Sequence, residues 1–192
     1  MEKMFARATT MGTSTRQRLS ERLLTPPKFL QTTADEVVRA TRYHRPLSVA
    51  LVQIDDLQGV RQRDGEEAAR AVFVDVIARI IHAMRAPDYI GRLGPGQLGL
   101  LMPETGLKQA GIAVGRMQKL IEMTSILTPV GECSATLSAG IAGLSARMRD
   151  PKAFLMSACF ELRRAQSQGK NTVCLANPDF AVMTVNRSGQ VH

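Results

Sequence analysis

The stretch Tyr89–Thr105, YIGRLGPGQLGLLMPET, decides the fold of this chain. Its centre, Gly94–Gln97, combines two glycines with a proline, a composition that favours a tight turn. Short apolar segments flank the turn, so Tyr89–Leu93 and Gln97–Met102 are predicted to form a β-hairpin. No helix N-terminus and no lysine follows the turn, which argues against a phosphate-binding loop.

Beyond the hairpin, the composition indicates one ordinary globular domain with some spare length at the ends. The chain has 192 residues, of which 44% are hydrophobic and 4% aromatic. No run approaches the roughly 20 apolar residues that cross a bilayer, and the N-terminus lacks the apolar block of a signal peptide. We therefore expect a cytoplasmic protein without membrane contact. The cysteines have no metal-like spacing and are expected to be buried free thiols: Cys133, Cys159 and Cys174.

The net charge of +8 suggests nucleic-acid binding, because backbone phosphates attract Lys and Arg. Much of the excess lies in the first 30 residues, and the chain shows neither a recognition-helix pattern nor a set of aromatic residues for base stacking. We therefore do not expect nucleic acid as a partner. A solvated basic surface that also accommodates a small phosphorylated ligand accounts better for the charge.

Three segments differ in composition along the chain. Residues 1–30 are rich in Thr, Ser and Arg and contain the helix-stopping Pro26-Pro27, so they are predicted to form a basic flexible arm with a short helix over Arg16–Leu24. Residues 31–176 carry the hydrophobic patterns of a folded domain. Residues 177–192 are predicted to be a tail.

Within the domain, apolar periodicity predicts alternating helices and strands. The predicted helices are Ala34–His44, Glu66–Met84, Leu107–Met123 and Pro151–Gln168, the last capped by Gly169. The predicted strands are Leu47–Ile54, Tyr89–Leu93, Gln97–Met102, Ile126–Val130, Ser134–Gly143 and Asn171–Leu175. This order is typical of an α/β sandwich in which helices flank a mostly antiparallel sheet.

Several motifs resemble those of one enzyme family. Arg92–Leu98 followed by Leu100–Thr105 resembles the Arg-aromatic-Gly-Gly-Asp/Glu-Glu-Phe and Leu-Pro-Glu-Thr signature of GGDEF domains, the diguanylate cyclases. Three further segments resemble the family's motifs in the same order: Arg42–Ser48, Ser138–Ala142 and Gly169–Val173. The resemblance runs from about residue 35 to residue 173. It implies the nucleotidyl-cyclase-like sandwich with a central five-stranded sheet.

In this family two GTP molecules are joined, each held on its own domain, and Mg²⁺ bound by two carboxylates polarises the phosphates. The resemblance places Gln53 and Gly96 at the carboxylate positions and Gln97 at the adjacent glutamate. The two positions that read guanine in the family hold Arg61 and Arg70, and the position that contacts phosphate holds Gln166. Together with the altered signature Gly94-Pro95-Gly96-Gln97-Leu98, these residues predict a catalytically inactive domain with no metal site, no magnesium requirement and no cofactor.

Arg85-Ala86-Pro87-Asp88 follows the strongest predicted helix and resembles the family's Arg-x-x-Asp inhibitory site, which binds the product cyclic di-GMP. Arg116 matches the family's second product-binding arginine. Arginine presents a planar fork to phosphate or guanine, and aspartate accepts hydrogen bonds from guanine N1–H and N2–H₂. The resemblance therefore implies a metal-free cyclic di-GMP receptor that uses Arg85, Asp88 and Arg116 and signals through an unidentified protein partner.

Other interpretations remain open. Arg85 and Asp88 also fit a solvated pair at a helix end, in which case the domain is a nucleotide-independent interaction scaffold. A residual enzyme would need Asp55 as its sole metal ligand, although turn formation and helix capping explain Asp55-Asp56 better. A homodimer is left open. The lone histidines are expected at the surface: His44 and His82.

Overall fold

The computed structural model describes residues 22–145 and 150–176. The tail at 177–192 and most of the predicted arm lie outside the described residues. The helices of the described part are α1 (Pro26–Tyr43), α2 (Leu57–Ala83), α3 (Leu107–Glu122) and α4 (Pro151–Ser167). Its strands are β1 (Leu23–Leu24), β2 (Leu47–Ile54), β3 (Tyr89–Gly94), β4 (Gln97–Pro103), β5 (Ile126–Thr128), β6 (Gly131–Cys133), β7 (Leu137–Gly143) and β8 (Val173–Leu175).

Six strands form one sheet in the order β1-β3-β4-β2-β7-β8. The central pairs are antiparallel, whereas β1 pairs with β3 and β8 pairs with β7 in parallel. The α/β sandwich is therefore confirmed. The sheet has six strands instead of five, because Leu23–Leu24 adds a short strand at one edge. β5 and β6 form a separate hairpin. The strand predicted at Ser134–Gly143 begins at Leu137, because residues 134–136 lie in the segment that joins β6 to β7.

The central strand β2 is apolar throughout because helices cover both faces of the sheet. Ala50, Val52 and Ile54 belong to a core that includes α2 and α3. The alternate residues Val49 and Leu51 belong to a second core that includes α1 and α4. Successive side chains of a strand point to opposite faces, so one apolar run serves both cores.

The first helix begins at Pro26 and not at Ala34. Pro26-Pro27, predicted to stop a helix, instead occupies its first turn, where a missing N–H leaves no hydrogen bond unmade. Phe29 is fully buried, and a Cβ added to Gly91 would lie 2.6 Å from its ring. The end of the segment predicted as a flexible arm is therefore packed against the sheet.

The second helix also begins earlier than predicted, at Leu57 instead of Glu66. Gly65 interrupts it with φ 90° and ψ 172°, a conformation that glycine adopts without steric cost. The residues between Leu57 and Gly65 therefore form the first part of α2, and the chain kinks at Gly65. None of the helices in the described ranges is both long and apolar enough to cross a membrane.

Both ends of α4 follow the sequence prediction. The Asp150 carboxylate accepts hydrogen bonds from the backbone N–H groups of Lys152 and Ala153, and Pro151 occupies the first turn. Beyond the helix, Gly169 has φ +108°, as expected of a glycine that ends a helix.

Candidate functional site

The turn predicted at Gly94–Gln97 joins β3 to β4. Pro95 and Gly96 occupy its central positions, and the φ of +72° at Gly96 is close to the value that a type II turn requires there. Gly94 pairs with Gln97 across the turn, and the Ile54 N–H donates to the Gly96 carbonyl over 2.9 Å. The turn is therefore fixed against the end of β2.

Gln53, near the end of β2, contacts this turn. It stands opposite Gln97 in the strand register. Its side-chain amide donates to the Pro95 carbonyl over 3.3 Å and to the Ile54 carbonyl over 3.2 Å. A Cβ added to Gly96 would lie 2.9 Å from the Gln53 amide nitrogen. The two positions that the resemblance assigns to metal-binding carboxylates therefore meet in space, and neither carries a negative charge.

The other positions that the resemblance assigns to nucleotide binding do not supply the missing charge. The Arg61 guanidinium is held by Glu66 over 2.5 Å and by Gln58 over 2.7 Å, whereas Arg70 and Gln166 are exposed. Hard divalent cations prefer anionic oxygen ligands. Across residues 22–145 and 150–176, no group of three or more His, Cys, Asp or Glu side chains is placed to hold a metal ion.

Asp55, directly after β2, is 9% exposed and has donors on both oxygens. It accepts hydrogen bonds from the Thr136 hydroxyl over 2.8 Å, the Ser138 hydroxyl over 2.7 Å and the Asn171 backbone N–H over 3.0 Å. The carboxylate thus links β2 to β7 and to the segment before β8. Its hydrogen bonds give Asp55 a structural role, as the sequence indicated, but the role is to link strands and not to cap a helix.

Asp56 occupies the N-cap position of α2 but makes no capping hydrogen bond. Its backbone is left-handed, with φ 53°, and its carboxylate lies 3.3 Å from the Arg63 guanidinium. The predicted capping role is therefore wrong, because a capping side chain reaches the first N–H groups of a helix from an extended backbone.

The residues Arg85–Asp88 form a closed turn after α2. The Arg85 backbone N–H donates to Asp88 Oδ2 over 2.9 Å, and the Asp88 N–H donates to the Arg85 carbonyl over 3.2 Å. Asp88 Oδ1 is buried and has neither a hydrogen bond nor an ion pair within the described part of the chain. Such an unpaired acceptor costs about 1–3 kcal/mol, which a donor on a ligand can offset.

Burial raises the pKa of the Asp88 carboxyl above its ordinary value of 3.8. The Arg85 backbone N–H and the charges of Arg85 and Arg22 oppose this rise. The carboxylate is therefore less well solvated than an exposed aspartate, although two arginines lie near it.

Two arginines lie at the Arg85–Asp88 turn, and sequence reasoning identified one of them. Arg85 is exposed, and its guanidinium makes no hydrogen bond or ion pair within residues 22–145 and 150–176. Arg22 donates to the Arg85 carbonyl over 3.5 Å. Nothing in the local sequence distinguishes Arg22 from the other cations of the N-terminal segment, so its place beside Asp88 could not be predicted.

Arg116 is exposed on α3, which shares a core with α2. No hydrogen bond or ion pair among the described residues joins it to the Arg85–Asp88 turn. The structure therefore brings Arg85, Asp88 and Arg22 together and leaves Arg116 on a neighbouring helix.

The lone histidines and the thiols complete the predicted candidates. His44 and His82 are exposed, as predicted. The three cysteines are free, as predicted, but full burial holds for Cys174, whereas Cys133 and Cys159 are half-buried.

Solved structures with this fold include GGDEF domains from two bacteria. The GGDEF domain of PA1120 (TpbB or YfiN) from Pseudomonas aeruginosa has a TM-score of 0.77 and 23% identity, over 82% of this chain and 92% of that chain. The GGDEF domain of DgcB from Caulobacter crescentus, in complex with c-di-GMP, has a TM-score of 0.77 and 16% identity, over 80% and 91%. The diguanylate cyclase SiaD from Pseudomonas aeruginosa, in complex with its activator SiaC, has a TM-score of 0.76 and 20% identity, over 91% and 70%. These similarities show the fold alone.

The chain is also similar in sequence to two bacterial proteins. The response regulator PleD of Caulobacter vibrioides is 25% identical over 139 residues, which is 71% of this chain and 31% of PleD. The uncharacterized protein YhcK of Bacillus subtilis is 23% identical over 134 residues, 69% of this chain and 37% of YhcK. The chain thus spans about a third of the length of these relatives. The family model "Diguanylate cyclase, GGDEF domain" matches residues 26–172, and the chain therefore belongs to the GGDEF domain family.

Proposed function

We propose that this protein is a catalytically inactive GGDEF-domain protein that binds cyclic di-GMP through Arg85, Asp88 and Arg116 and signals by contact with a partner protein. One observation carries the proposal. The Arg85–Asp88 turn combines an exposed guanidinium with a buried carboxylate oxygen, and neither group has a side-chain partner within the described residues. Groups of this kind contribute most to binding free energy when a ligand supplies the complementary charge or hydrogen bond.

The proposed inactivity rests on the residues at and around the Gly94–Gln97 turn. Gln53 and Gly96 meet where two carboxylates would hold Mg²⁺, and both are uncharged. Arg61 and Arg70 are cations at positions where a guanine edge would need acceptors. Loss of the metal ligands alone would remove several kcal/mol of transition-state stabilisation, about enough to abolish turnover.

The proposed ligand matches the chemistry of the turn. Cyclic di-GMP offers phosphates and guanine O6/N7 edges to the fork of Arg85, and guanine N–H donors to Asp88. Each charge-assisted hydrogen bond contributes about 1.5–3 kcal/mol, so a few suffice without a metal. The complex of the structurally similar DgcB domain with c-di-GMP supports this choice of ligand. The proposal includes a cytoplasmic location, because GTP and messengers made from it occur there.

Isothermal titration without magnesium tests the proposal, with GTP as the parallel ligand. We expect cyclic di-GMP to bind at micromolar or tighter affinity and GTP not to bind. Arg85→Ala should abolish binding, whereas Arg163→Ala, which removes an exposed arginine of α4, should preserve it. A flat titration with folded wild-type protein would rule out the receptor, and formation of cyclic di-GMP from GTP and Mg²⁺ would rule out the inactivity.

Exposed apolar side chains on α3 and at the residue that follows it favour a second candidate, a nucleotide-independent interaction scaffold. Ile112, Leu120 and Met123 are 58%, 41% and 82% exposed. The complex of SiaD with its activator SiaC shows a structurally similar protein bound to a protein partner. The scaffold predicts no thermal shift with any guanine nucleotide, and partner binding that Arg85→Ala leaves unchanged. A partner contact that responds to cyclic di-GMP would exclude it.

A further inference from the structure

The Arg85–Asp88 turn leads directly into β3, and the edge strand β1 pairs with the first part of β3. Leu23 pairs with Ile90, and Leu24 pairs with Gly91. β1 is the outermost strand of its sheet, so no further strand within the described residues holds it from the other side. The position of Leu23–Leu24 therefore depends on the same stretch of backbone that carries Asp88.

Arg22, the residue before β1, provides a second link to the turn. Its guanidinium donates to the Arg85 carbonyl over 3.5 Å, which is long for a hydrogen bond. Burial raises the pKa of the Asp88 carboxyl, and the charge of Arg22 is among the groups that oppose this rise. The Arg22 side chain therefore lies beside the proposed ligand site, but its hydrogen bond there is weak.

β1 is held less firmly than the helix that follows it. The strand has two residues, both of them half-buried, and it lies at the edge of the sheet. α1 is anchored by Phe29, which is fully buried against Gly91. Short elements with few buried contacts open locally at a low free energy, whereas core elements do not. We therefore expect Arg22–Leu24 to separate from β3 more readily than α1 separates from the sheet.

We infer that an anionic ligand at the Arg85–Asp88 turn tightens the attachment of Arg22–Leu24 to β3, so that this segment responds to ligand binding. The inference rests on the proposed binding of cyclic di-GMP to the turn. A phosphate beside Arg85 attracts the Arg22 guanidinium, and a charge-assisted hydrogen bond is stronger than the long bond to a carbonyl. The effect is reciprocal: if the attached Arg22 strengthens ligand binding, the ligand strengthens the attachment by the same factor.

Amide hydrogen exchange of the full chain, followed by NMR with and without cyclic di-GMP, tests the inference. We expect saturating ligand to slow exchange of the more protected of the Leu23 and Leu24 amides about two- to fivefold, because the ligand makes local opening of β1 less favourable. The amides of β8 are the internal reference, since this short strand lies at the opposite edge of the sheet. Their exchange should not change.

Arg22→Ala separates this coupling from ligand binding itself. The variant should still bind cyclic di-GMP in isothermal titration, but the ligand should no longer slow exchange in β1. Lys28→Ala removes an exposed cation of α1 and should keep the full effect. If ligand-saturated wild-type protein shows unchanged exchange in β1, or equal slowing in β8, the inference is wrong and the proposed function stands. Slowing that persists in Arg22→Ala would also overturn it, and absence of cyclic di-GMP binding would rule out both.

Discussion

The end of β2 and the turn after α2 differ in how fully their polar groups are satisfied. At the end of β2, Gln53 donates to two carbonyls and Asp55 accepts three hydrogen bonds. In the turn after α2, the Arg85 guanidinium and Asp88 Oδ1 have no partner within the described part of the chain. The first region is neutral or internally paired, whereas the second keeps unpaired groups of both charges.

This difference separates structural from binding roles. A polar group that is already paired contributes little to ligand affinity, because a hydrogen bond to the ligand replaces one within the protein. An unpaired charged group contributes more, because its new charge-assisted bond replaces only contacts with water. We therefore expect substitutions at the end of β2 to change stability, and substitutions around the turn to change ligand affinity.

Removal of the Asp55 carboxylate is expected to have the largest effect. Asp55→Ala leaves the buried hydroxyl of Ser138 and the half-buried donors of Thr136 and Asn171 without their acceptor. The free energy of unfolding should then fall by about 3–5 kcal/mol. Urea denaturation followed by circular dichroism measures this loss.

The matched control is Asp55→Asn, which keeps one acceptor oxygen and should therefore lose less stability than the alanine variant. A loss below about 1 kcal/mol in Asp55→Ala would mean that the donors find other partners, since ordinary surface substitutions change stability by that order or less. The structural role assigned to the end of β2 would then fail.

Asp88 is expected to make cyclic di-GMP binding depend on pH. Guanine donors need the charged carboxylate, and burial raises the pKa of Asp88 above 3.8. Affinity should therefore be full above the raised pKa and fall on acidification, starting at higher pH than for an exposed aspartate. Below the pKa the loss approaches about tenfold per pH unit. Titrations across the acidic range, on protein shown to be folded, measure it.

Asp88→Asn provides the control for this pH dependence. It keeps the size of the side chain and an oxygen for the Arg85 N–H, but it removes the titrating group. Its affinity should be lower at neutral pH and insensitive to acidification. A pH profile that persists unchanged in this variant would assign the titration to another group.

Much of the fold could be predicted because its signals are local. The glycines and proline of Gly94–Gln97 define the turn, and the apolar run Leu47–Ile54 defines the central strand. The start of α1 could not be predicted, because Pro26-Pro27 suits both a helix stop and a first helical turn. Burial of Phe29 against Gly91, a contact between distant segments, decides between them.

Gln53→Ala is expected to have a moderate effect on stability and none on ligand binding. The hydrogen bonds from the side-chain amide to the Pro95 and Ile54 carbonyls are lost, so the free energy of unfolding should fall by about 1 kcal/mol. Arg70→Ala, at an exposed side chain, is the control and should leave stability unchanged. If Gln53→Ala also weakens cyclic di-GMP binding, the end of β2 and the Arg85–Asp88 turn are coupled, and the proposed division of roles is wrong.

The candidate site could be predicted where a short motif carries it, as for Arg85 and Asp88. Its long-range partners could not. Arg22 reaches Arg85 across 63 positions of sequence, and Asn171 reaches Asp55 across 116. Such contacts depend on the packed sheet and helices, so no local pattern marks them. The unsatisfied Oδ1 of Asp88 is likewise a property of burial and not of the motif.

The smallest expected effect comes from Arg22, and it tests whether position or net charge matters at the turn. Arg22 lies close enough to lower the pKa of Asp88, but its one hydrogen bond there is long, at 3.5 Å. Arg22→Ala should therefore weaken the binding of cyclic di-GMP roughly two- to fivefold, and the loss should be smaller at high salt. Lys28→Ala removes an exposed cation of α1 and serves as the control. Equal losses in the two variants would attribute the effect to net charge, and a loss as large as in Arg85→Ala would make Arg22 a direct ligand.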